Sequence, residues 1–166
     1  MRDLTLRCGT LSWIPETVVE PNRVICDFSD AAIVKKWSAD APIVLSHDNT
    51  GMLLTADKKA KYPQASMAIS DKDWSGFQDC VVEMENLGDK PQMLVFRARS
   101  NDDNGQRSDV HETIPKGKYE MRFPVAGLKK TKQDAITKIY LMTLNVPEDG
   151  CKIRVTKLYL EPKRAL

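Results

Sequence analysis

Apolar and polar residues alternate along most of this chain, and short turn sequences interrupt the alternation. Such a period of two is typical of β-strands that bury one face and expose the other. Turn sequences rich in Asn, Asp, Gly and Pro, such as residues 48–51 and 147–150, separate the alternating segments. The pattern predicts ten strands: residues 23–28, 43–46, 52–55, 66–70, 78–86, 93–100, 107–114, 118–124, 137–144 and 151–161.

One short segment has a helical signature instead. At residues 30–37 a run of apolar residues follows Asp30, whose carboxylate suits a helix N-cap, so we expect one or two helical turns. Ten strands without helical crossovers indicate an all-β fold, a sandwich of two antiparallel sheets. The start of the chain fits the alternation poorly. The sequence therefore predicts an N-terminal extension or extra strand at 1–22 and a β-sandwich domain at 23–166.

The net charge and the lack of long apolar runs argue against nucleic-acid and membrane partners. The 166 residues suffice for one domain with a real core, and the net charge of +2 is too small to indicate nucleic acid or an anionic membrane. No apolar run approaches the roughly 18 residues of a transmembrane helix. We therefore expect no nucleic-acid and no membrane partner. The start lacks the apolar stretch of a signal peptide, which leaves a cytoplasmic protein or an excised piece of a secreted one.

Candidate catalytic and metal-binding residues are sparse. The four cysteines, at positions 8, 26, 80 and 151, form no Cys-x-x-Cys pair, and we expect free thiols because cysteine is often simply buried. His111 and Glu112 are adjacent on a predicted strand and must face opposite ways, so they cannot act as one acid–base pair. With no nucleophile–base set and no metal cluster, the sequence predicts no enzyme, no metal site and no cofactor.

Charged residues share one predicted face of the strands. Glu83 and Glu85 alternate with core positions on one strand, Arg97 and Arg99 do so on the next, and His111 lies on a neighbouring strand. Because a short turn joins the first two strands, we expect them to pair and to present one charged surface. Such a surface can be a set of cross-strand ion pairs, or it can bind the hydroxyl pairs of a sugar. If a glycan binds, we predict that it binds this face and that these five residues are its contacts.

Two motifs resemble a known family. Residues 62–66 read Tyr-Pro-Gln-Ala-Ser, residues 73–77 read Asp-Trp-Ser-Gly-Phe, and the strands 78–86 and 93–100 follow. This order resembles galactose-binding-like β-sandwich domains of the carbohydrate-binding-module type, which have a jelly-roll fold. The resemblance implies a non-catalytic module that binds a polysaccharide or oligosaccharide. It also implies a place beside a catalytic domain in a larger, extracellular or cell-surface, polysaccharide-degrading protein. In many such modules the glycan lies on the concave face of one sheet, in others on the loops at one end.

The same resemblance bears on calcium and on the tryptophans. Many of these modules hold a structural calcium between an early strand and the last one. Here Ser29 and Thr156 stand where carboxylates are expected, which argues against a tight site because a hard cation needs anionic oxygen ligands. Trp74, in the Trp-Ser-Gly corner, and Trp37 are predicted core residues. Trp13 remains undecided.

Two alternatives stay open. The chain could be a structural or interaction domain that packs on a neighbouring catalytic domain and binds no sugar, because fold does not fix function. It could also be an enzyme on a similar jelly roll, of the alginate-lyase type. Residues 116–119 match only a fragment of the alginate-lyase motif, and no Gln-x-His occurs in the sequence. A concave groove with an exposed aromatic would favour the glycan; a flat, ion-paired sheet would favour the scaffold.

Overall fold

The computed structural model describes residues 21–40, 42–58, 62–101 and 106–164. This part of the chain consists mainly of strands. It also contains one α-helix and one 3-10 turn, Val125–Gly127. The elements are β1 (Arg23–Asp27), α1 (Ala31–Val34), β2 (Ser38–Ala39), β3 (Val44–His47), β4 (Met52–Ala56), β5 (Gln64–Ala68), β6 (Phe77–Asn86), β7 (Gln92–Ser100), β8 (Arg107–Ile114), β9 (Gly117–Pro124), β10 (Ile136–Leu144) and β11 (Cys151–Pro162).

The strands form two antiparallel sheets that pack face to face around one core. The six-stranded sheet has the order β3-β4-β11-β6-β9, and β1 also pairs with β11. The five-stranded sheet has the order β2-β5-β10-β7-β8. Apolar side chains from the inner faces of both sheets form a single buried cluster. The predicted all-β sandwich is confirmed.

Each of the ten predicted strands is present, with ends displaced by at most two residues. The predicted helix is also present as one turn, α1, and Oδ1 of Asp30 accepts a hydrogen bond of 2.8 Å from the backbone N–H of Ala32. The sequence prediction missed β2, whose two residues are too few to show a period. No helix in the described ranges is long and apolar enough to cross a membrane.

One predicted pairing is wrong. β6 and β7 follow each other in sequence across a short turn, but β6 pairs with β9 and β11, whereas β7 pairs with β8 and β10. The chain crosses from one sheet to the other at residues 87–91, so Val82 and Phe96 meet the core from opposite sides. Alternation shows which residues point into the core, but it does not show which sheet holds the strand.

The core is built around tilted aromatic rings. Trp74 is fully buried, and its indole N–H donates to the backbone oxygen of Asp71 at 3.2 Å. The ring of Phe96 lies 6.5 Å from Trp74 and 4.9 Å from Phe123, centroid to centroid. Trp37 is also buried and packs 5.7 Å from Phe28. Both core assignments are confirmed, whereas Trp13 lies outside the described residues.

The described cysteines act as small apolar residues. Cys26, Cys80 and Cys151 are buried free thiols, as predicted, and Cys8 lies outside the described residues. Removal from water raises the pKa of the Cys26 thiol to about 11 and that of Cys151 to about 12. Burial raises the pKa of Cys80 strongly as well. These thiols therefore stay protonated at neutral pH and are poor nucleophiles.

Replacing Trp74 should test the aromatic core. We expect Trp74→Ala to lower the free energy of unfolding by about 3–5 kcal/mol, because the cavity it leaves adds to the lost burial. Urea denaturation measures the change. Val44→Ala is a matched control, since Val44 is 63% exposed on an edge strand and should change stability by less than about 0.5 kcal/mol. A Trp74→Ala variant as stable as the parent would contradict the core assignment.

Candidate functional site

The outer face of the six-stranded sheet carries a network of ion pairs. Arg122 contacts Glu120 at 2.8 Å, Asp79 at 3.5 Å and Glu161 at a shorter distance. Arg154 contacts Asp48 and, at 2.6 Å, Glu85. The guanidinium groups of Arg122 and Arg154 are thus held by two or three carboxylates each. Hydrogen bonds with Glu161 and Glu120 raise the pKa of Arg122, and the Arg154 guanidinium holds the pKa of Asp48 well below its usual range.

Two of the predicted site residues lie on this ion-paired face. Glu83 and Glu85 border a depression of about 400 Å³, together with Lys118 and Glu120. Glu83 and Glu120 are direct cross-strand neighbours, which places two like charges opposite each other. The depression is therefore acidic on one side and lies next to the ion-pair network.

The outer face of the five-stranded sheet is organised differently. Its antiparallel register aligns outward side chains in rows that run across the strands. The first row, named the cationic row, contains Arg107, Arg99 and Lys138. The second, the polar row, contains Asp109, Arg97, Tyr140 and Ser66. The third contains His111, Val95, Met142 and Gln64. We call the whole surface the five-stranded face.

Arg97 and Asp109 form a two-pronged ion pair in the polar row. Arg97 Nε donates to Oδ1 of Asp109 at 2.7 Å, and Nη2 donates to Oδ2 at 2.9 Å. These hydrogen bonds lower the pKa of Asp109 and raise that of Arg97. Because a bidentate pair fixes the plane of both groups, it holds an arrangement of donors and acceptors rigidly at the surface.

Tyr140 lies at the centre of the same row, surrounded by cations. Its hydroxyl oxygen accepts a hydrogen bond of 2.8 Å from Nη1 of Arg99. The Lys138 ammonium lies 5.1 Å from the ring centroid, and the guanidinium carbon of Arg97 lies 6.0 Å from it. The side chain is only 7% exposed, so Tyr140 forms part of the floor of the surface and offers little ring area for stacking.

An apolar cluster lies beneath the charged groups of this face. Val95, Tyr140 and Met142 point away from the sandwich core, yet they are buried and pack together, with Leu144 against them. This cluster is separate from the core between the sheets. The five-stranded face therefore combines an apolar floor with polar groups held at defined positions, which is the composition of a typical ligand site.

An exposed aromatic stands at the end of the same surface. The Thr143 N–H donates to the backbone oxygen of Pro63 at 3.1 Å, which continues the β5–β10 register beyond Gln64. Tyr62 lies two residues before Gln64, the first residue of β5, and continuing the outward alternation of Gln64 predicts the same face for Tyr62, at the level of Leu144. Tyr62 is 66% exposed, more than any other large apolar residue among those described.

The structure thus divides the predicted site residues between two surfaces. Arg97, Arg99 and His111 come together on the five-stranded face, whereas Glu83 and Glu85 lie on the opposite side of the sandwich. Sequence reasoning missed the contributions of Asp109, Lys138, Tyr140 and Tyr62. The period of two along the predicted strand 137–144 places Tyr140 outward, and extending the period back from the predicted strand 66–70 would also have placed Tyr62 there.

The segment in which the resemblance implies a calcium site has other partners here. Oδ1 of Asp27 accepts hydrogen bonds from Ser29, at 2.7 Å from the hydroxyl and 3.1 Å from the N–H, and these lower the pKa of Asp27. Across the strand pair, Asp27 is opposite Lys157. A neighbouring ammonium competes with a metal cation for the same carboxylate.

Solved structures show where this fold occurs. The chain is similar to a family 11 carbohydrate-binding module from Clostridium thermocellum in complex with a β-1,3-1,4-mixed-linked tetrasaccharide: 15% identity, 87% of this chain and 98% of that one, TM-score 0.66. A family 29 module from Piromyces equi matches over 86% of this chain and 91% of that one, with 11% identity and a TM-score of 0.59. The chain has the fold of a carbohydrate-binding module.

The fold also occurs inside larger enzymes. The agarase AgWH50C matches over 89% of this chain, with 14% identity and a TM-score of 0.69, but the match spans only 25% of the agarase chain. No protein-family model and no curated protein matches the sequence. At these identities the similarity concerns the fold, and the function must be argued from the surface.

Calcium should contribute little to stability. We expect the melting temperature to stay nearly unchanged when a chelator is added, because only a ligand bound to the native state can stabilise it. Thermal unfolding with and without EDTA, and with added calcium, measures this. A large drop with EDTA that calcium reverses would contradict the prediction.

Acid should weaken the Arg97–Asp109 pair. The folded-state pKa of Asp109 lies below the unfolded value of about 3.9, so the carboxylate stabilises the fold above that pH. The contribution is lost as pH falls through the folded-state pKa. We expect the unfolding free energy of Asp109→Asn to fall less steeply than that of the parent between about pH 4 and pH 2. Equal slopes in pH-dependent denaturation would show that the pair adds no stability.

Proposed function

We propose that the chain is a non-catalytic carbohydrate-binding module whose glycan site is the five-stranded face. The observation that carries the proposal is the exposed ring of Tyr62 at the end of a face that also holds the fixed Arg97–Asp109 pair and the exposed imidazole of His111. The module would act in a larger extracellular or cell-surface protein that degrades polysaccharide. Its match to one quarter of an agarase supports that setting.

Each part of the face suits a different feature of a sugar. A pyranose ring has C–H groups that pack on an aromatic ring such as Tyr62, and hydroxyl pairs that accept from a planar guanidinium or donate to a carboxylate. The apolar floor excludes water beneath these contacts. A surface site of this kind buries little area and displaces ordered water, so we expect dissociation constants on the order of micromolar to millimolar.

The placement of acidic and basic groups supports a role without catalysis. His111 points outward from the five-stranded face, while Oε1 of its neighbour Glu112 accepts a 2.7 Å hydrogen bond from the Tyr119 hydroxyl on the other side. The two groups therefore do not share a site. On the face itself the Asp109 carboxylate is hydrogen-bonded to Arg97 through both oxygens, which favours a binding role for it.

A second candidate function uses the opposite face. The ion-paired surface of the six-stranded sheet, with Glu83 and Glu85 beside Arg154, would suit packing against a neighbouring catalytic domain. If glycan bound there instead, Glu83 and Glu85 would be its contacts. Variants on the two faces separate these functions.

Affinity electrophoresis through gels containing polysaccharides tests the proposal. We expect Tyr62→Ala, Arg97→Ala and His111→Ala each to weaken retention by about three- to thirtyfold, because each removes one contact worth roughly 1 kcal/mol. Arg122→Ala, on the opposite face, is the matched control for Arg97→Ala and should bind like the parent. Thermal unfolding of each variant should confirm that the fold is intact.

Three outcomes are decisive. Loss of retention only in the five-stranded-face variants supports the proposal. Loss only in Glu83→Gln and Glu85→Gln would move the site to the six-stranded sheet. If the parent protein is retained by no polysaccharide in a broad panel, the interaction-domain function takes its place.

A further inference from the structure

The five-stranded face has an unbalanced charge. Among its described outward strand residues, four are cationic and one is acidic: Arg97, Arg99, Arg107 and Lys138 against Asp109. The six-stranded sheet differs, because its outward positions on β6, β9 and β11 hold five carboxylates and five cations: Asp79, Glu83, Glu85, Glu120 and Glu161 against Lys118, Arg122, Lys152, Arg154 and Lys157. The net charge of the whole chain is therefore small although its two outer faces differ in charge.

Three of these cations are direct neighbours. In the cationic row Arg99 is opposite Arg107 on one side and opposite Lys138 on the other. Directly opposed residues of an antiparallel sheet have Cβ atoms about 4.5–5.5 Å apart, and like charges at this spacing are destabilising. The row thus brings three positive charges together, and an anion bound across it would be attracted to them.

The next row supplies one negative charge, which is hydrogen-bonded to Arg97 and also interacts electrostatically with Arg107. The single carboxylate, Asp109, has both its oxygens hydrogen-bonded to Arg97. The Lys138 ammonium lies above the Tyr140 ring, which is a cation–π contact and not a salt bridge. Arg107 is exposed at the edge strand β8. Two of the three cations are therefore placed to meet an anionic group of a ligand lying on the face.

From this arrangement we infer that the site binds an anionic polysaccharide, whose sulfate or carboxylate groups contact the cationic row while its sugar rings contact Tyr62 and the polar row. The inference rests on the proposed function, because it assigns the ligand class of the same face. Sulfate esters and uronate carboxylates share the required chemistry, a delocalised anion with several acceptor oxygens.

Retention in gels that contain κ-carrageenan, alginate, agarose or mixed-linkage β-glucan tests the inference. These represent a sulfated, a uronate and two neutral polysaccharides. We expect retention by at least one anionic polymer, stronger than by either neutral one, and reduced in about 0.5 M salt because exposed charges are then screened. Retention by carrageenan or by alginate identifies which anion is the source.

A matched pair of double variants separates a site from non-specific attraction. Arg107→Gln with Lys138→Gln should weaken anionic retention about tenfold, since it removes two contacts to the anion. Lys118→Gln with Lys152→Gln removes the same charge from the opposite face and should weaken it less than about twofold. Equal weakening by both pairs would overturn the inference, as would equal displacement by single-stranded DNA.

The remaining outcomes distinguish the two proposals. If neutral polysaccharide is retained and anionic polysaccharide is not, the ligand class is wrong while the carbohydrate-binding function stands. If none of the four polymers and no member of the broader panel is retained, both proposals fail.

Discussion

The packing of two sheets around one apolar core is the constraint on which the rest of this structure depends. Trp74, Phe96 and Phe123 pack between the sheets, so each long strand must direct alternate side chains inward. The remaining side chains are then presented outward on two surfaces that face away from each other. Everything that bears on function follows from which residues occupy those two outer surfaces and how their strands are aligned.

The two outer surfaces differ in how their charged side chains are arranged. On the six-stranded sheet, cations and carboxylates neutralise one another, as Arg122 does with Glu120 and Glu161. On the five-stranded face, one ion pair stands beside a row of cations, above a floor formed by Val95 and Met142. In the first arrangement the charged side chains of the surface contact one another. The second combines net positive charge with an exposed aromatic ring, which is why we propose the ligand site there.

The register of the strands determines which charged residues are neighbours on the surface. Because β8, β7 and β10 are neighbours, residues distant in sequence form continuous rows. Along the strands the rows change from cationic to polar and then to a third row in which Val95 and Met142 lie between His111 and Gln64. A polysaccharide chain lying on the face would meet these zones in order. Specificity in such a site comes from the sequence of zones, since no single exposed contact contributes much.

The sequence by itself determined the elements and the direction of most side chains. The period of two predicted the strands, the N-cap preference of Asp30 predicted α1, and burial preference placed Trp74 and Trp37 in the core, because these are local or compositional effects. Only the tertiary structure decided the partners. It separated Glu83 and Glu85 from Arg97 and Arg99 by sending β6 and β7 to different sheets. It also brought Asp109 to Arg97 and aligned Lys138 with Arg99. Pairing between strands distant in sequence depends on how all the apolar faces are buried at once, and no local pattern contains that information.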